Sequence, residues 1–297
     1  MRAFIALVRR ELIEHRGAFL WGPLALVGVL FGATLIAFTF GRVDARFSGA
    51  MFTVAPLRIF EIGFLGFGAG WALYLIATLF FYCGDAFWAD RRNNSMLFWK
   101  SMPVSDFRVL MSKLTAATTI LPGTVYAIAL LSGLLLFGVA FVTMLINGSA
   151  TWAAFGSIAV IYGQVALAIL VAFAVGLLWY LPLMGVIGGL ATAMGRWAIP
   201  VSLVLPAIVS MFEWVILGGI HPFSTHTWNY ISYRASLPFG EGGYLDAWFL
   251  GDAPFSALAF ATDLINRTDW LQVLIGLAVA LLAVYLASEY RRRVIGD

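Results

Sequence analysis

With 297 residues, 62% of them hydrophobic and only 11% charged, this chain carries more apolar surface than one water-facing core can hide. Soluble domains run at about 45–50% apolar and about 25% charged, so the composition excludes an ordinary soluble globular protein and makes the bilayer the solvent. The net charge of +3 is spread over loop ends rather than gathered for nucleic acid, and the single cysteine, Cys83, excludes an intrachain disulfide framework.

Residues 1–16 read as an amphipathic helix. Phe4, Ile5, Val8 and Leu12 fall on one arc at about 100° per residue, and Arg2, Arg9, Arg10 and Glu14 fall largely elsewhere. Such a helix can lie in the membrane interface with its arginines at the headgroups; a charged lead-in to the first span is the plainer reading. The apolar run that follows is long enough to span, which distinguishes it from a cleavable signal peptide.

Residues 18–40 form the first expected span, with about the twenty residues a bilayer needs. Residues 41–61 hold Arg42, Asp44, Arg46, Arg58 and Glu61 and read as a loop. Residues 62–82 form the second span, where Gly66 and Gly70 have the small-x-x-x-small spacing that lets helices approach closely. A polar loop covers 84–113. Residues 114–146 are too long for a perpendicular span, so the helix is expected to tilt, or to bend at Pro122. Residues 155–181 form the fourth span, with a continuation to 194 kinked by Pro182, Gly185, Gly188 and Gly189; an extra hairpin within 152–194 is the alternative. Residues 199–219 and 270–288 complete six spans, separated by a loop over 220–269 rich in Pro, Gly and aromatics.

Charge orients this scheme. With the N-terminus inside, the inner Lys and Arg residues are Arg2, Arg9, Arg10, Arg16, Arg91, Arg92, Lys100, Arg108, Lys113, Arg196, Arg291, Arg292 and Arg293. Only Arg42, Arg46, Arg58, Arg234 and Arg267 fall outside. That positive-inside bias places both termini in the cytoplasm, and a seventh span would expel Arg291–Arg293.

Catalytic chemistry is sparse. Neither lysine, Lys100 or Lys113, follows a glycine, so there is no phosphate-binding loop of the Walker A type. His221 and His226 stand five apart with no cysteine near, a weak metal spacing, and no metal site is expected. Two polar residues fall inside expected spans. Glu213 reads either as a polar point on a substrate or proton path or as a hydrogen-bonded tie, since an unpaired ionisable group costs about 2.5–3.5 kcal/mol there. Gln164 reads first as interhelical glue and second as a pathway residue.

The most informative stretch lies between the second and third spans. After Asp90, Arg91, Arg92, Asn93 and Asn94, Ser95 can cap a short helix. Met96, Leu97, Phe98 and Trp99 form an apolar block, Lys100 and Met102 follow, and Pro103 ends it. Ser105 or Asp106 can cap the next helix, which runs through Lys113 into the membrane. A short helix with an aromatic tip suits a groove on a soluble partner; it equally suits the membrane interface.

The segment resembles the cytoplasmic loop between spans two and three of type-2 ABC exporter permeases. The likeness rests on Asp90-Arg91-Arg92, Asn94-Ser95, Met96-Leu97-Phe98-Trp99, Pro103-Val104-Ser105 and Lys113, and departs from the family at Asn94, where a glycine is usual, and at the Asp entry. Phe4 to Trp21, including Val8, Arg9, Arg10, Glu11 and Leu12, resembles the family's interfacial connecting helix. The resemblance implies a fold and a mechanism. The fold is a single all-α integral membrane domain over 1–297, with six transmembrane helices, an N-terminal amphipathic interfacial helix and a short cytoplasmic coupling helix. The chain itself would not be an enzyme. A separate ABC ATPase would hold ATP and Mg, and a second permease copy would complete the pathway in a bacterial cytoplasmic membrane. The coupling helix, Ser95 to Met102, would seat in the ATPase, with Phe98 and Trp99 as buried anchors and Arg91, Arg92 and Lys100 at the rim. Two readings compete: a membrane-embedded enzyme using His221, His226, Glu241 and Asp246, and a non-transporting anchor for a soluble complex.

Overall fold

The structure is a computed structural model and describes residues 2–39, 56–93, 104–146, 152–216, 226–236, 243–251 and 254–294. All regular elements among them are helical. Helix α1 (Arg2–Glu14) leads through a π-helical turn, Gly17–Trp21, into α2 (Gly22–Thr39). There follow α3 (Pro56–Arg92), α4 (Asp106–Thr118), α5 (Ile120–Ile146) and α6 (Trp152–Met194). After a 3-10 turn, Gly195–Trp197, come α7 (Ala198–Val215), α8 (Thr227–Ala235), α9 (Tyr244–Leu250), α10 (Ala257–Arg267) and α11 (Trp270–Val294).

Among the described residues, five segments are long and apolar enough to cross a membrane: Gly17–Ile36, Phe60–Arg92, Asp106–Val142, Phe155–Val215 and Trp270–Arg293. This is the architecture of an all-α membrane protein. The fourth segment, 61 residues long, covers the range 155–181 expected for the fourth span and residues 199–215 of the range expected for the fifth, and the chain reverses within it. Gly195, at φ +59°, takes a left-handed conformation that only glycine adopts cheaply. From Trp179 to Gly195 is about 24 Å of helix, and from Gly195 to Glu213 about 27 Å, at 1.5 Å per residue. Yet the short helix α8 bonds to Glu213 at one end and to Trp179 at the other. Only a chain that doubles back at Gly195 brings those two residues within reach of one nine-residue helix.

Several boundaries differ from the sequence expectation. Helix α3 begins at Pro56, so Arg58 and Glu61 are helical rather than in a loop, and it continues to Arg92. The long third hydrophobic run, by contrast, breaks where a proline at 122 would bend it: Pro122 has no N–H for the Thr118 carbonyl four residues before it, and the helix ends at Thr118. The break falls at Thr119 (φ −126°, ψ −78°), whose N–H tightens back to Ala116 O. Pro122 then falls in the first turn of α5, where its missing N–H costs nothing. Helix α6 runs through Pro182 to Met194 as one helix, the continuation expected beyond 181, and not as the alternative hairpin.

Helix α6 is the centre of the packing, with α3 along one side and α11 along another. Small residues set the α6–α11 approach: a Cβ on Gly185 would sit 2.6 Å from Ala280 Cα, and one on Gly189 would sit 3.3 Å from Ala283 O. Gly66 and Gly70 face open space instead. The close-approach pair is therefore Gly185 and Gly189, four residues apart on α6, and not the pair marked on the second span.

Candidate functional site at the base of the 94–103 stretch

Four helices bring charged side chains together at one end of the bundle, although bare charges are costly to bury. Glu11 from α1, Asp90 from α3, Lys113 from α4 and Arg291 from α11 are each 1–2% exposed. Lys113 Nζ lies 3.0 Å from Glu11 Oε1 and 3.8 Å from Asp90 Oδ2. Arg291 NH1 donates to Asp90 Oδ2 at 3.2 Å, and its Nε stands 3.4 Å from Asp106 Oδ1. The Tyr82 hydroxyl donates to Glu11 Oε2 at 2.9 Å, and the His15 ring packs edge-on against Tyr82. Each carboxylate thus meets a cation or a hydroxyl, which makes the burial tolerable.

Local sequence explains how the groups arrive there. On α1, Val8 and Leu12 pack against the core with Glu11 between them, while Ile5 stays exposed. The arc drawn from periodicity therefore divides: Val8 and Leu12, with the half-buried Phe4, face protein, and Ile5 faces outward. Ser105 caps α4, its Oγ accepting the Arg108 N–H at 3.4 Å, as the Pro103-Val104-Ser105 pattern predicts. That cap starts α4 so that Asp106 falls in its first turn and Lys113 two turns on, among the buried residues.

The segment Ser95, Met96, Leu97, Phe98, Trp99, Lys100, Met102 and Pro103, expected to be the coupling helix, lies outside the described residues. Its flanks are described. Arg91 and Arg92 end α3, both exposed, with Arg92 paired to Asp85 and stacked over Trp88 at 5.6 Å. Arg9 is exposed on α1, and Arg10 pairs with Glu14. The ionic cluster therefore sits at the base of this stretch and holds its two ends, Asp90 before it and Asp106 after it.

Glu11, Glu14 and His15 place ligand atoms within 4.8 Å of one another, a spacing that could hold a metal ion. Their charge is already met, however, since Glu11 engages Lys113 and Tyr82 and Glu14 engages Arg10. Of the enzyme candidates, His221 and Glu241 lie outside the described residues. His226 stands 3.7 Å from Glu213, and Asp246 falls in the first turn of α9.

Gln164 and Glu213 do not line the apolar cavity of about 450 Å³ between α2 and α3, which is walled by Leu26, Leu30, Gly66, Phe67, Trp71 and neighbours. Both instead hold the helices of the 226–267 region. Glu213 is buried and accepts the N–H (2.9 Å) and the hydroxyl of Thr227, at the start of α8. Gln164 Oε1 accepts the Ala257 N–H at 2.9 Å, at the start of α10. Asp263 does the same for Tyr244 at the start of α9, and that N–H lowers the Asp263 carboxyl below its usual range; partial burial opposes this and Arg267 assists. Near the start of α3, Glu61 accepts the Phe255 N–H, and Arg58, stacked over Trp248 at 3.9 Å, donates to the carbonyls of Trp248 and Gly251. Polar residues within the long helices thus satisfy the free ends of the short ones. Sequence reading missed the contributions of Glu11, Asp90 and Arg291 because their partners lie up to two hundred residues away.

No protein-family model matches this chain, and no curated protein matches it.

Proposed function

We propose that the chain is the permease subunit of an ATP-driven type-2 ABC exporter, with six spans and both termini cytoplasmic. It would work as a dimer with a second permease copy and take energy from a separate ATPase docked on Ser95–Met102. The observation that carries this reading is that one buried arginine meets both flanks of that stretch, hydrogen-bonded to Asp90 and in a 3.4 Å ion pair with Asp106. A docking segment transmits force only if its ends are tied to the elements that must move, and only contacts that differ between two states can do this work. The sequence resemblance, the positive-inside charge bias and the lack of a phosphate-binding loop support the same reading.

The test is isolation of the tagged chain from its native membrane, followed by reconstitution. An ATPase should co-purify, and vesicles should show ATP-dependent efflux. Trp99→Ala should preserve the fold and the helical content while lowering transport per ATP hydrolysed. Isolation of the chain with no ATPase and no ATP-dependent efflux rejects the reading.

A further inference from the structure

One guanidinium reaches both ends of the 94–103 stretch. Arg291 NH1 bonds Asp90 at the end of α3, and Nε faces Asp106 in the first turn of α4. Asp90 in turn faces Lys113, and Lys113 holds Glu11 of α1. Arg291 itself lies in the last turn of α11, a helix that packs along α6 beside α3 and also touches α4. The chain connects α3 to α4 only through residues 94–103, whereas side chains connect both to a helix two hundred positions further on.

The chemistry asks for arginine here. A guanidinium is planar, permanently charged and forked, and can bond two carboxylates in different directions. A lysine ammonium supplies the same charge from a single point on a flexible stem. Burial of Asp90, Lys113 and Arg291 fixes these directions by packing as well as by charge.

We propose that Arg291 is a positioning residue that clamps the two flanks of the 94–103 stretch to the C-terminal helix α11. A displacement delivered at that stretch then moves the adjoining ends of α3, α4 and α11 together, instead of spreading α3 from α4. The functional half of this inference rests on the docking reading proposed above; the mechanical half does not.

Cys83 is buried and is the chain's sole cysteine, so introduced cysteines can be labelled selectively. Spin labels at the exposed positions Asn93 and Arg108 report the gap between α3 and α4, and a pair at Arg108 and Tyr285 reports α4 against α11. The full chain is measured in nanodiscs by pulsed dipolar spectroscopy. Arg291→Lys should leave the melting temperature close to that of the wild type yet broaden both distance distributions and shift them to longer distances. Asp106→Asn should reproduce that change, and the double variant should add nothing to either.

An arginine that served only to neutralise buried acids would leave Arg291→Lys with unaltered distributions. Folded Arg291→Lys and Asp106→Asn proteins with wild-type distances overturn the clamp. Should Arg291→Lys fail to fold, Asp106→Asn decides alone, because Asp106 is partly exposed and its amide keeps an acceptor at the helix start. In a chain that co-purifies with an ATPase, Arg291→Lys should also lower transport per ATP. A wild-type chain without an ATPase rejects the docking reading and leaves the distance result to judge the clamp.

Discussion

Lys113 Nζ stands 3.0 Å from Glu11 Oε1 across 102 positions of sequence, with both side chains sealed from solvent. The pair welds α1 to α4 at a depth where neither charge tolerates being alone. Removing one partner of a buried pair costs about 3–5 kcal/mol, whereas replacing both with apolar groups of similar volume is often neutral. Lys113→Met should therefore lower the thermal midpoint in detergent sharply, and Glu11→Leu should do so as well. The double variant should recover much of the loss. Strictly additive losses would show that the two residues act independently.

Glycine substitutions should separate close approaches from open faces. A Cβ at Gly185 meets the backbone of Ala280 at 2.6 Å, and no side-chain rotation relieves that contact. Gly185→Ala should push α6 and α11 apart and cost about 1–3 kcal/mol, the usual range for overpacking. Gly70→Ala adds its methyl to open space and should be neutral or slightly stabilising, since glycine inside a helix costs about 0.5–1 kcal/mol relative to alanine. The measurement is monodisperse yield and thermal midpoint for the two variants side by side. Equal behaviour would remove the close-approach argument.

These two cases mark what the sequence could and could not reveal. Long apolar runs are legible because the bilayer demands about twenty residues of them, and the Ser105 cap is legible because it acts three residues away. The α6–α11 approach was not legible. Gly66 with Gly70 and Gly185 with Gly189 carry the same spacing, and only the helix opposite decides which pair is used. Proline removes the hydrogen bond to the residue four before it, and the surroundings decide whether a break follows: one helix ends at Thr118, four before Pro122, and another continues through Pro182. The ionic cluster joins α1, α3, α4 and α11, so no local pattern could announce it. Glu213 was visible as a polar intruder, but the Thr227 N–H that occupies it comes from 14 positions further along the chain.

Glu213 supports α8 from a distance. Its carboxylate receives the Thr227 N–H and hydroxyl, the work that an N-cap side chain does for its own helix. Glu213→Ala should cost about 1 kcal/mol, within the range of about 0.5–2 for lost caps. Glu213→Gln keeps an acceptor oxygen and should cost less. Amide exchange over Thr227–Ile231 reads the effect: faster in Ala, close to wild type in Gln. A Gln variant that abolishes transport while leaving exchange unchanged would instead mark Glu213 as a pathway residue.

Acid should loosen α9 from α10. Asp263 accepts the Tyr244 N–H at 3.0 Å and pairs with Arg267 at 2.8 Å, and its carboxyl is held below the usual value of 3.8. A carboxyl whose folded value lies below its unfolded value contributes its stabilisation in full above the unfolded value, and loses it as the pH falls through the folded one. The junction should therefore be insensitive near neutral pH and weaken below about pH 4. Trp248, buried on α9 against Phe255, supplies the optical probe, provided its emission is resolved by comparison with a Trp248→Phe control. Asp263→Asn should give, near neutral pH, the state that the wild type reaches only in acid, and should flatten the response below about pH 4. An unchanged acid response in Asp263→Asn would assign the transition to another carboxylate.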